Sequence, residues 1–307
     1  MSFVHLQKYF VKMKIAIFSV YPSFETINTI KEIIKFSKKL NHDIILSEML
    51  KKYFNTNKIK YKYFKNARIL NSRIDFLFSV GGDGTLLRSI TVVRNTETPI
   101  LGINTGRLGF LATINKKAIH QSVALILKGD YTVQERTLLS VKTIPEVPAF
   151  SELNFALNEV TISRKNTTSM IGVKTNLNHE YLTNYWADGL IIATPTGSTG
   201  YSLSCNGPVI SPDSKNLVIT PIAPHNLTAR SMVISDETSI QLEVDSREKD
   251  FLISLDSRMT SVAKNTQVFI AKAPFTIKSI IPSNQSFLET LRSKLLWGED
   301  TRNETNL

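Results

Sequence analysis

Cysteine is almost absent from this sequence, since Cys205 is the only one among 307 residues. A single thiol cannot form an intrachain disulfide, and without a cluster of cysteines and histidines it cannot build a structural zinc site. The chain also has no apolar run near the ~20 residues that a membrane-spanning helix needs. Nothing points to an oxidising compartment or a membrane, so we expect a cytoplasmic protein without a membrane partner.

The first residues give no sign of a secretory signal. They are mildly basic, but they lead directly into the strand-like segment KIAIFSV and lack a small-residue cleavage site. Met13 is a second possible start. We therefore interpret residues 1–12 as an N-terminal extension.

Acidic residues are outnumbered, with 26 against 37 lysines and arginines and a net charge of +11. The segment Lys51–Leu70 interleaves lysine with tyrosine and phenylalanine, a pattern found in nucleic-acid binding. A solvated lysine-rich surface explains the same pattern more simply, so we expect no nucleic-acid partner. The positive charge does favour an anionic small-molecule ligand such as a nucleotide.

The first half of the chain alternates short apolar strands with helices, which predicts a parallel sheet covered by helices. We predict an α/β domain over residues 13–135. Its predicted strands are Lys14–Val20, His42–Glu48, Asp75–Val80 and Thr98–Asn104, and its predicted helices include Phe24–Leu40 and Lys116–Tyr131.

After residue 135 the pattern changes to short, β-branched segments about ten residues apart, with turn formers between them. This spacing is typical of an all-β sandwich, which we predict over residues 136–280. The last segment, 281–307, is predicted to be helical and to pack back on the first domain.

Several common motifs are missing. There is no G-x-G-x-x-G fingerprint, no Walker A sequence and no G-x-S-x-G elbow with an evident partner histidine. What is present is GGDGTLL, directly after the apolar strand DFLFSV. Its glycines allow close backbone approach, and the following helix presents free N–H groups to an anion. A carboxylate there, Asp83, fits a metal ligand or a base; the simpler alternative is a helix cap.

Three other stretches carry polar groups near strand ends. LGINTGRLGFL places glycines after the next strand, and Asn158 with Glu159 precedes an alternating strand. An Asn–Glu pair can hydrogen-bond a ribose diol or a base edge, although a strand-entry cap is an alternative. TPTGSTGYSLS collects hydroxyl groups around two glycines, which is interpreted as a nucleotide-binding loop or, alternatively, a Ser/Thr-rich β loop.

GGDGTLLR, NEVTISR and DGLIIATPTGSTGYSLSCNGPVISP, in this order and at these separations, resemble the NAD kinases. GGDGT is shared more widely with phosphofructokinases and with diacylglycerol and sphingosine kinases. The resemblance implies an α/β domain followed by a β-sandwich domain. It also implies transfer of the γ-phosphate of ATP to the 2′-hydroxyl of the adenosine ribose of NAD, with a divalent cation, Mg²⁺ being the first candidate, and a homo-oligomer, either dimer or tetramer.

The resemblance also implies roles for particular residues. Asp83 would be the general base, with Gly84 beside it and Arg88 near the phosphates. Asn158 and Glu159 would hold the ribose or adenine of NAD, and Asp188 its nicotinamide side. The remaining implied NAD contacts are Thr196, Thr199, Gly200, Tyr201, Ser202, Leu203, Ser204 and Ala223.

Two positions depart from the family pattern. Trp186 stands where many relatives carry arginine, and Ser257 follows Asp256 where relatives often carry glutamine or histidine. Two other functions stay open on the sequence. A lipid kinase of the diacylglycerol or sphingosine type shares GGDGT, and a nucleotide-responsive binding protein would keep the pocket without turnover.

Overall fold

The computed structural model describes residues 12–55, 61–65, 74–106, 109–114, 118–166 and 169–297. They separate into two compact units. The first comprises the chain up to Gln134 together with the chain from Lys278 onward, and the second comprises Glu135–Ile277. Of the predicted extension 1–12, all but Lys12 lies outside the described residues. Within the described ranges, no helix combines the length and apolar character needed to cross a membrane.

The first unit is built on a seven-stranded sheet with the order β3-β2-β1-β4-β5-β19-β6. Its strands are β1 Lys14–Phe18, β2 Asp43–Ser47, β3 Lys62–Phe64, β4 Phe76–Gly81, β5 Ile100–Asn104, β6 Tyr131–Arg136 and β19 Ile277–Pro282. The pairs β1–β2, β1–β4, β2–β3, β4–β5 and β5–β19 are parallel. The predicted α/β class is confirmed.

The helices of this unit are α1 Phe24–Lys39, α2 Lys51–Phe54, α3 Asp83–Val93, α4 Ile119–Leu127 and α6 Phe287–Leu295. Helix α1 begins where predicted, because the Ser23 side chain accepts a hydrogen bond from the Thr26 N–H. It buries Ile30, Ile33 and Ile34 against the sheet, as the apolar spacing indicates.

Helix α4 ends just before Gly129, the glycine expected to close it, and Tyr131 at the end of the predicted segment already begins β6. The reason is Gly129, which has a φ of +80° and follows the C-cap residue Lys128. A glycine in the left-handed region stops the helix at this point.

The second unit consists of two antiparallel six-stranded sheets, ordered β11-β10-β15-β18-β7-β8 and β14-β13-β12-β9-β16-β17. Both sheets contribute to one apolar core. The strands are β7 Leu139–Ile144, β8 Phe155–Ala156, β9 Glu159–Arg164, β10 Ile171–Leu177, β11 Glu180–Ala187, β12 Gly189–Ala193, β13 Asn216–Ile222, β14 Met232–Ser235, β15 Ile240–Asp245, β16 Asp250–Leu255, β17 Arg258–Ala263 and β18 Gln267–Lys272. A single helical turn, α5 Tyr201–Ser204, follows β12.

Strands β10 and β11 form a long hairpin whose β-branched pattern is weaker than that of the other segments of this unit. Asn178 and His179 both have positive φ, 49° and 70°, which suits the tight turn between them. The polar segment NLNHEYLTN hides the alternation, because only one face of this outer hairpin is apolar.

The terminal helix α6 belongs to the first unit. The Ser286 hydroxyl caps it by accepting a hydrogen bond from the Glu289 N–H at 3.1 Å. Just before the helix, Gln285 Oε1 accepts a hydrogen bond of 2.7 Å from the Thr113 hydroxyl, in the loop that follows β5. The segment just before α6 is thereby tied to that loop.

Candidate active site

The GGDGT turn connects the end of β4 to the start of α3. Gly81, the last residue of β4, pairs with Asn104 of β5, so the loop after β5 starts beside the turn. Gly82 occupies the N-cap position of α3 without a side-chain cap bond, and Asp83 is the first helical residue. The alternative in which Asp83 caps its own helix is therefore not what the structure contains.

The Asp83 carboxylate instead binds the loop after β5. Its Oδ2 atom accepts the Phe110 N–H at 2.8 Å, and its Oδ1 atom accepts the N–H groups of Leu111 at 3.2 Å and Ala112 at 2.9 Å. Gly109 makes this approach possible, since a Cβ at that position would lie 1.8 Å from Asp83 Oδ1. Asp83 and the glycine-rich loop are thus held together by hydrogen bonds.

The two oxygens of Asp83 differ in what they can still accept. A carboxylate offers about four lone-pair positions. Oδ1 accepts two backbone donors and Oδ2 accepts one, counting the described residues. Oδ2 is therefore the oxygen with a position left for a proton donor from a ligand.

Gly84 and Arg88 lie further along α3. Both are exposed, and a Cβ at Gly84 would meet no atom within 4 Å. The first N–H groups of a helix have no intrahelical acceptor, and they attract negative charge. This end of α3 presents bare backbone to an anion, with the Arg88 guanidinium one turn along the same helix.

In the second unit, the loop after β12 packs tightly against the residues before β9. The Thr194 N–H donates to Asn158 O at 2.9 Å, and the Thr194 hydroxyl donates to Leu157 O at 2.5 Å. A Cβ on Gly197 would lie 2.0 Å from Asn158 O. Only glycine allows the two backbones to come this close.

This contact involves two consecutive residues whose side chains each carry an acceptor without a partner. Asn158 Oδ1 and Glu159 Oε2 are enclosed, and neither has a hydrogen-bond partner among the described residues. A Cβ on Gly200 would lie 3.1 Å from Glu159 Oε2 and 3.5 Å from Asn158 Nδ2, so both side chains border this glycine. The pair can accept hydrogen bonds from two neighbouring hydroxyl or amino groups of a ligand.

The Glu159 carboxyl has an altered acidity. Its pKa is raised from 4.5 to about 7, chiefly by burial and also by the nearby Asp256 carboxylate, while the Tyr201 N–H acts in the opposite direction. Near neutral pH this group is therefore close to half protonated. It can act as a donor or an acceptor according to what a ligand brings.

This raised pKa predicts a pH-dependent stability. Between pH 4.5 and about 7 the folded protein keeps a proton on Glu159 that the unfolded chain has released, so this residue's contribution to stability falls as the pH rises. Glu159→Gln removes the ionisation. We expect the variant to match the wild type near pH 4 and to exceed it above pH 7, by up to roughly 3 kcal/mol. Thermal unfolding between pH 4 and 8.5 measures the difference.

Asp250→Asn is the control for this experiment. Asp250 is exposed and bonds to Lys165 at 2.8 Å, and this hydrogen bond lowers its pKa. Its contribution is present above its unfolded pKa of 3.8 and is lost on acidification, which is the opposite sign. A Glu159→Gln variant that gained nothing above pH 7 would contradict the burial of this carboxyl.

Several hydroxyl groups of the TPTGSTGYSLS loop are used within the protein. The Ser198 hydroxyl donates to Pro195 O at 2.7 Å, the Thr199 hydroxyl donates to Thr196 O at 3.3 Å, and the Ser202 and Thr220 hydroxyls are 2.9 Å apart in the buried core. Thr196 is also buried, and Leu203 is half-buried. Ser204 and Tyr201 are the exposed hydroxyls of this loop.

Asp188 and Ala223 meet at the opposite end of β12 from Glu159. The Asp188 N–H donates to Ile222 O at 2.9 Å, and the exposed Ala223 follows with a φ of 44°. Asp188 Oδ2 also forms an ion pair of 2.8 Å with Arg164 Nη2. A ligand at Asp188 would therefore contact a carboxylate that is already in an ion pair with the Arg164 guanidinium.

Tyr201 lies within electrostatic reach of both ends of this site. Burial raises the pKa of its phenol, and the charges of Cys205, Asp188 and Glu159 raise it further. The side chain is nevertheless 46% exposed. Its ring is therefore open to a ligand that extends from Glu159 towards Asp188.

Sequence reasoning missed three pairings of this arrangement: Gly109 with Asp83, Arg164 with Asp188, and Asp256 with residues 157–159. Each acts across a long separation in the chain. The only signal in the sequence was their position beside quoted motifs, in LGFL, NEVTISR and SLDSR. Their partners could not be assigned without the strand pairing.

Comparison with known proteins supplies the family. The profile of the ATP-NAD kinase N-terminal domain matches residues 27–131, and that of the ATP-NAD kinase C-terminal domain matches residues 157–281. The NAD kinase of Flavobacterium johnsoniae is 52% identical over 294 residues, covering 95% of this chain and 100% of that protein. The NAD kinase of Bacteroides fragilis is 40% identical, covering 87% and 96%.

Solved structures show the same fold. A yeast NADH kinase complexed with NADH superposes with a TM-score of 0.84 at 20% identity, covering 95% of this chain and 90% of that one. An NAD kinase from Archaeoglobus fulgidus in complex with ATP superposes with a TM-score of 0.72 at 24% identity, covering 92% and 99%. The sequence relatives match along almost the whole chain, in both units. The chain belongs to the NAD kinase family.

Proposed function

We propose that this protein transfers the terminal phosphate of ATP to the 2′-hydroxyl of the adenosine ribose of NAD, giving NADP and ADP. Full-length relatives at about 50% identity are named NAD kinase, which favours this reaction over lipid phosphorylation. The observation that carries the proposal is the pair of open acceptors, Asn158 Oδ1 and Glu159 Oε2. A ribose can donate hydrogen bonds to both, whereas a lipid acyl chain would leave them buried and unpaired.

NAD is proposed to lie along the loop after β12. Asn158 and Glu159 would bind the adenosine portion, the exposed Tyr201 and Ser204 would border it, and Asp188 with Ala223 would contact the far portion. Gly200 borders this pair, since a Cβ there would lie 3.1 Å from Glu159 Oε2. The other proposed members of this site are Thr196, Thr199, Ser202 and Leu203, of which the buried Thr196 and Ser202 would shape the loop.

Asp83 is proposed as the general base. A ribose hydroxyl has a pKa far above 7, so a carboxylate accepts its proton only as the new phosphorus–oxygen bond forms. In this step the 2′-oxygen bonds to the γ-phosphorus, its proton passes to Asp83 Oδ2, and the bond to the oxygen of the departing ADP breaks. Such assistance contributes ~10²–10⁴ in rate. The three N–H groups that hold Asp83 keep its side chain in one orientation.

The start of α3 is proposed to bind the phosphates of ATP. Its free N–H groups and the Arg88 guanidinium supply positive charge, and Gly84 leaves the backbone uncovered. Charge neutralisation and positioning account for most of the catalysis in phosphoryl transfer. Gly84 and Arg88 therefore belong to the donor side of the proposed reaction.

Gly84→Ala tests this assignment, because a methyl group there meets nothing within 4 Å in the folded protein. Alanine also favours a helix over glycine by ~1 kcal/mol. We expect an unchanged or slightly higher Tm and a KM for ATP raised roughly tenfold, since the methyl group would displace the phosphates. An unchanged KM for ATP would show that the phosphates do not approach this turn.

A divalent cation is proposed as the metal cofactor, with Mg²⁺ as the first candidate. Bound with ATP, it would neutralise phosphate charge. Within the described ranges, no three or more Asp, Glu, His or Cys side chains cluster to hold a metal. These residues fit a cation that ATP brings and do not fit a cage made of protein ligands alone.

A homo-oligomer, dimer or tetramer, is proposed to form through β14, the outer strand of its sheet. Met232 and Val233 on this strand are 40% and 46% exposed, and Leu227 nearby is 89% exposed. An uncovered apolar outer strand favours pairing with a second copy. The cytoplasm, where NAD and ATP are available, is the proposed location.

Val233→Lys should reduce the oligomer to a smaller species, because it places a charge on the exposed apolar edge. Sedimentation velocity measures the change in mass. Met259→Lys is the matched control: Met259 is 66% exposed on β17, the other outer strand of the same sheet, and its replacement should leave the mass unchanged. Equal masses for wild type and Val233→Lys would exclude β14 as the interface.

The reaction itself is tested by incubating the protein with ATP, Mg²⁺ and either NAD or diacylglycerol, followed by chromatography. We expect NADP and ADP in the first mixture and no phosphorylated lipid in the second. Product only with diacylglycerol would establish a lipid kinase. NAD binding without product would establish a binding protein that lacks turnover.

A further inference from the structure

The turn between β16 and β17 contains a half-buried acid, Asp256, that has no part in the proposed chemistry. Its carboxylate accepts three consecutive backbone N–H groups. Oδ2 accepts that of Leu157 at 3.0 Å, and Oδ1 accepts those of Asn158 at 2.8 Å and Glu159 at 3.2 Å. Asp256 itself has a φ of 52°, in the left-handed region that is uncommon for residues other than glycine, asparagine and aspartate.

The contact is reciprocal. The Asp256 N–H donates to Glu159 O at 3.0 Å, which closes a ring between the turn and the start of β9. Two residues on, the Arg258 guanidinium donates to Leu153 O at 2.6 Å and also to Phe155 O. The turn thus holds the segment that leads into Asn158 and Glu159 along its length.

Three successive N–H groups that converge on one carboxylate fix the backbone of all three residues. Two of them, Asn158 and Glu159, carry the open acceptors Oδ1 and Oε2. The directions in which these two side chains leave the backbone therefore depend on Asp256. The position of a ligand bound to them depends on it as well.

We propose that Asp256 is a positioning residue for NAD: it does not touch the dinucleotide but holds Asn158 and Glu159 where they can bind its adenosine portion. This inference rests on the proposed function. Asp256→Asn is the informative change, because the amide oxygen can still accept two N–H groups while the amide NH₂ repels the third.

Isothermal titration with NAD tests the proposal on wild type, Asp256→Asn, Glu159→Gln and the double variant. We expect each single change to raise the Kd for NAD roughly tenfold. The double variant should have a Kd close to that of either single variant, because both changes disable one structural unit. In kinetic assays, the KM for ATP of Asp256→Asn should stay within about twofold of wild type, which separates positioning from a general loss of structure.

The outcomes distinguish this inference from the proposed function. If Glu159→Gln leaves the Kd for NAD unchanged, the proposed NAD site is wrong. If Glu159→Gln weakens binding while Asp256→Asn does not, or if the two effects multiply in the double variant, the positioning role is wrong. Asp250→Asn, an exposed acid at the other end of β16, is the control and should bind NAD as wild type does.

If Asp256→Asn fails to fold, hydrogen exchange on the wild-type protein tests the hydrogen bonds from residues 157–159 to Asp256. The amide protons of Leu157, Asn158 and Glu159 should exchange as slowly as those in the centre of β9, since each is held by the Asp256 carboxylate. Rapid exchange at these three amides would overturn the proposal without any variant.

Discussion

Asp83→Asn should lower kcat by ~10²–10⁴ and leave the Kd for NAD within about twofold of wild type. Asparagine has nearly the same shape as aspartate, but its amide cannot take the proton from the ribose hydroxyl. Asparagine can still contact the ribose hydroxyl and the other proposed NAD contacts are on other residues, so binding should survive. Steady-state kinetics for NADP formation, with NAD titration alongside, measures both quantities.

The structural role of Asp83 has to be separated from its chemical role. In the variant, the amide oxygen keeps two of the three N–H bonds, and the NH₂ group faces the Phe110 N–H. An unsatisfied N–H costs ~1–3 kcal/mol, so a lower Tm is expected as well. Loss of kcat must therefore be read at a temperature where the variant is fully folded.

Asp75→Asn is the control for a lost carboxylate bond in the same unit. Asp75 Oδ2 accepts the Lys14 N–H at 2.7 Å, at the start of β1 and away from the GGDGT turn. This variant should keep the wild-type kcat. Wild-type turnover in Asp83→Asn, or an equal loss in both variants, would remove Asp83 from the role of base.

Gly197→Ala should be among the most damaging single changes in the second unit. The new Cβ would lie 2.0 Å from Asn158 O and 2.4 Å from Asn158 C, and backbone atoms cannot rotate away as a side chain can. Overpacking of this kind costs ~1–3 kcal/mol or more. The segment that carries Asn158 and Glu159 must shift, so we expect both a lower Tm and a Kd for NAD raised more than tenfold.

Differential scanning calorimetry and NAD titration measure the two effects of Gly197→Ala. Gly84→Ala is the control for replacing a glycine as such, because its methyl group meets no neighbour. It should keep both the Tm and the affinity for NAD. A Gly197→Ala protein with wild-type stability would contradict the close packing of the two loops.

Local pattern sufficed for the elements that carry the site. The apolar strand before GGDGT and the helix after it form as the motif predicts, and the second half of the chain forms β-strands as its β-branched segments indicate. Strand alternation and helical spacing are properties of neighbouring residues, so the sequence contains them directly. The pattern of the hairpin β10–β11 is weaker because its exposed face is polar.

The sequence did not show which hydroxyl groups of the TPTGSTGYSLS loop bond within the protein and which are available to a ligand. The loop composition predicted many possible ligand contacts, but Ser198 and Ser202 direct their hydroxyls inward, to Pro195 and Thr220. Whether a serine faces a ligand or the core depends on the fold of the turn. Composition counts donors and acceptors without giving their directions.

By itself, the sequence determined the fold class, the family resemblance and the candidate acid, because these depend on short contiguous motifs. Tertiary structure alone decided the partners: the loop that Asp83 holds is 27–29 residues away, and the backbone that Asp256 holds is 97–99 residues away. Hydrogen bonds across such separations exist only once strands have paired and brought their ends together. The chemistry was therefore visible in the motifs, and its geometry only in the folded chain.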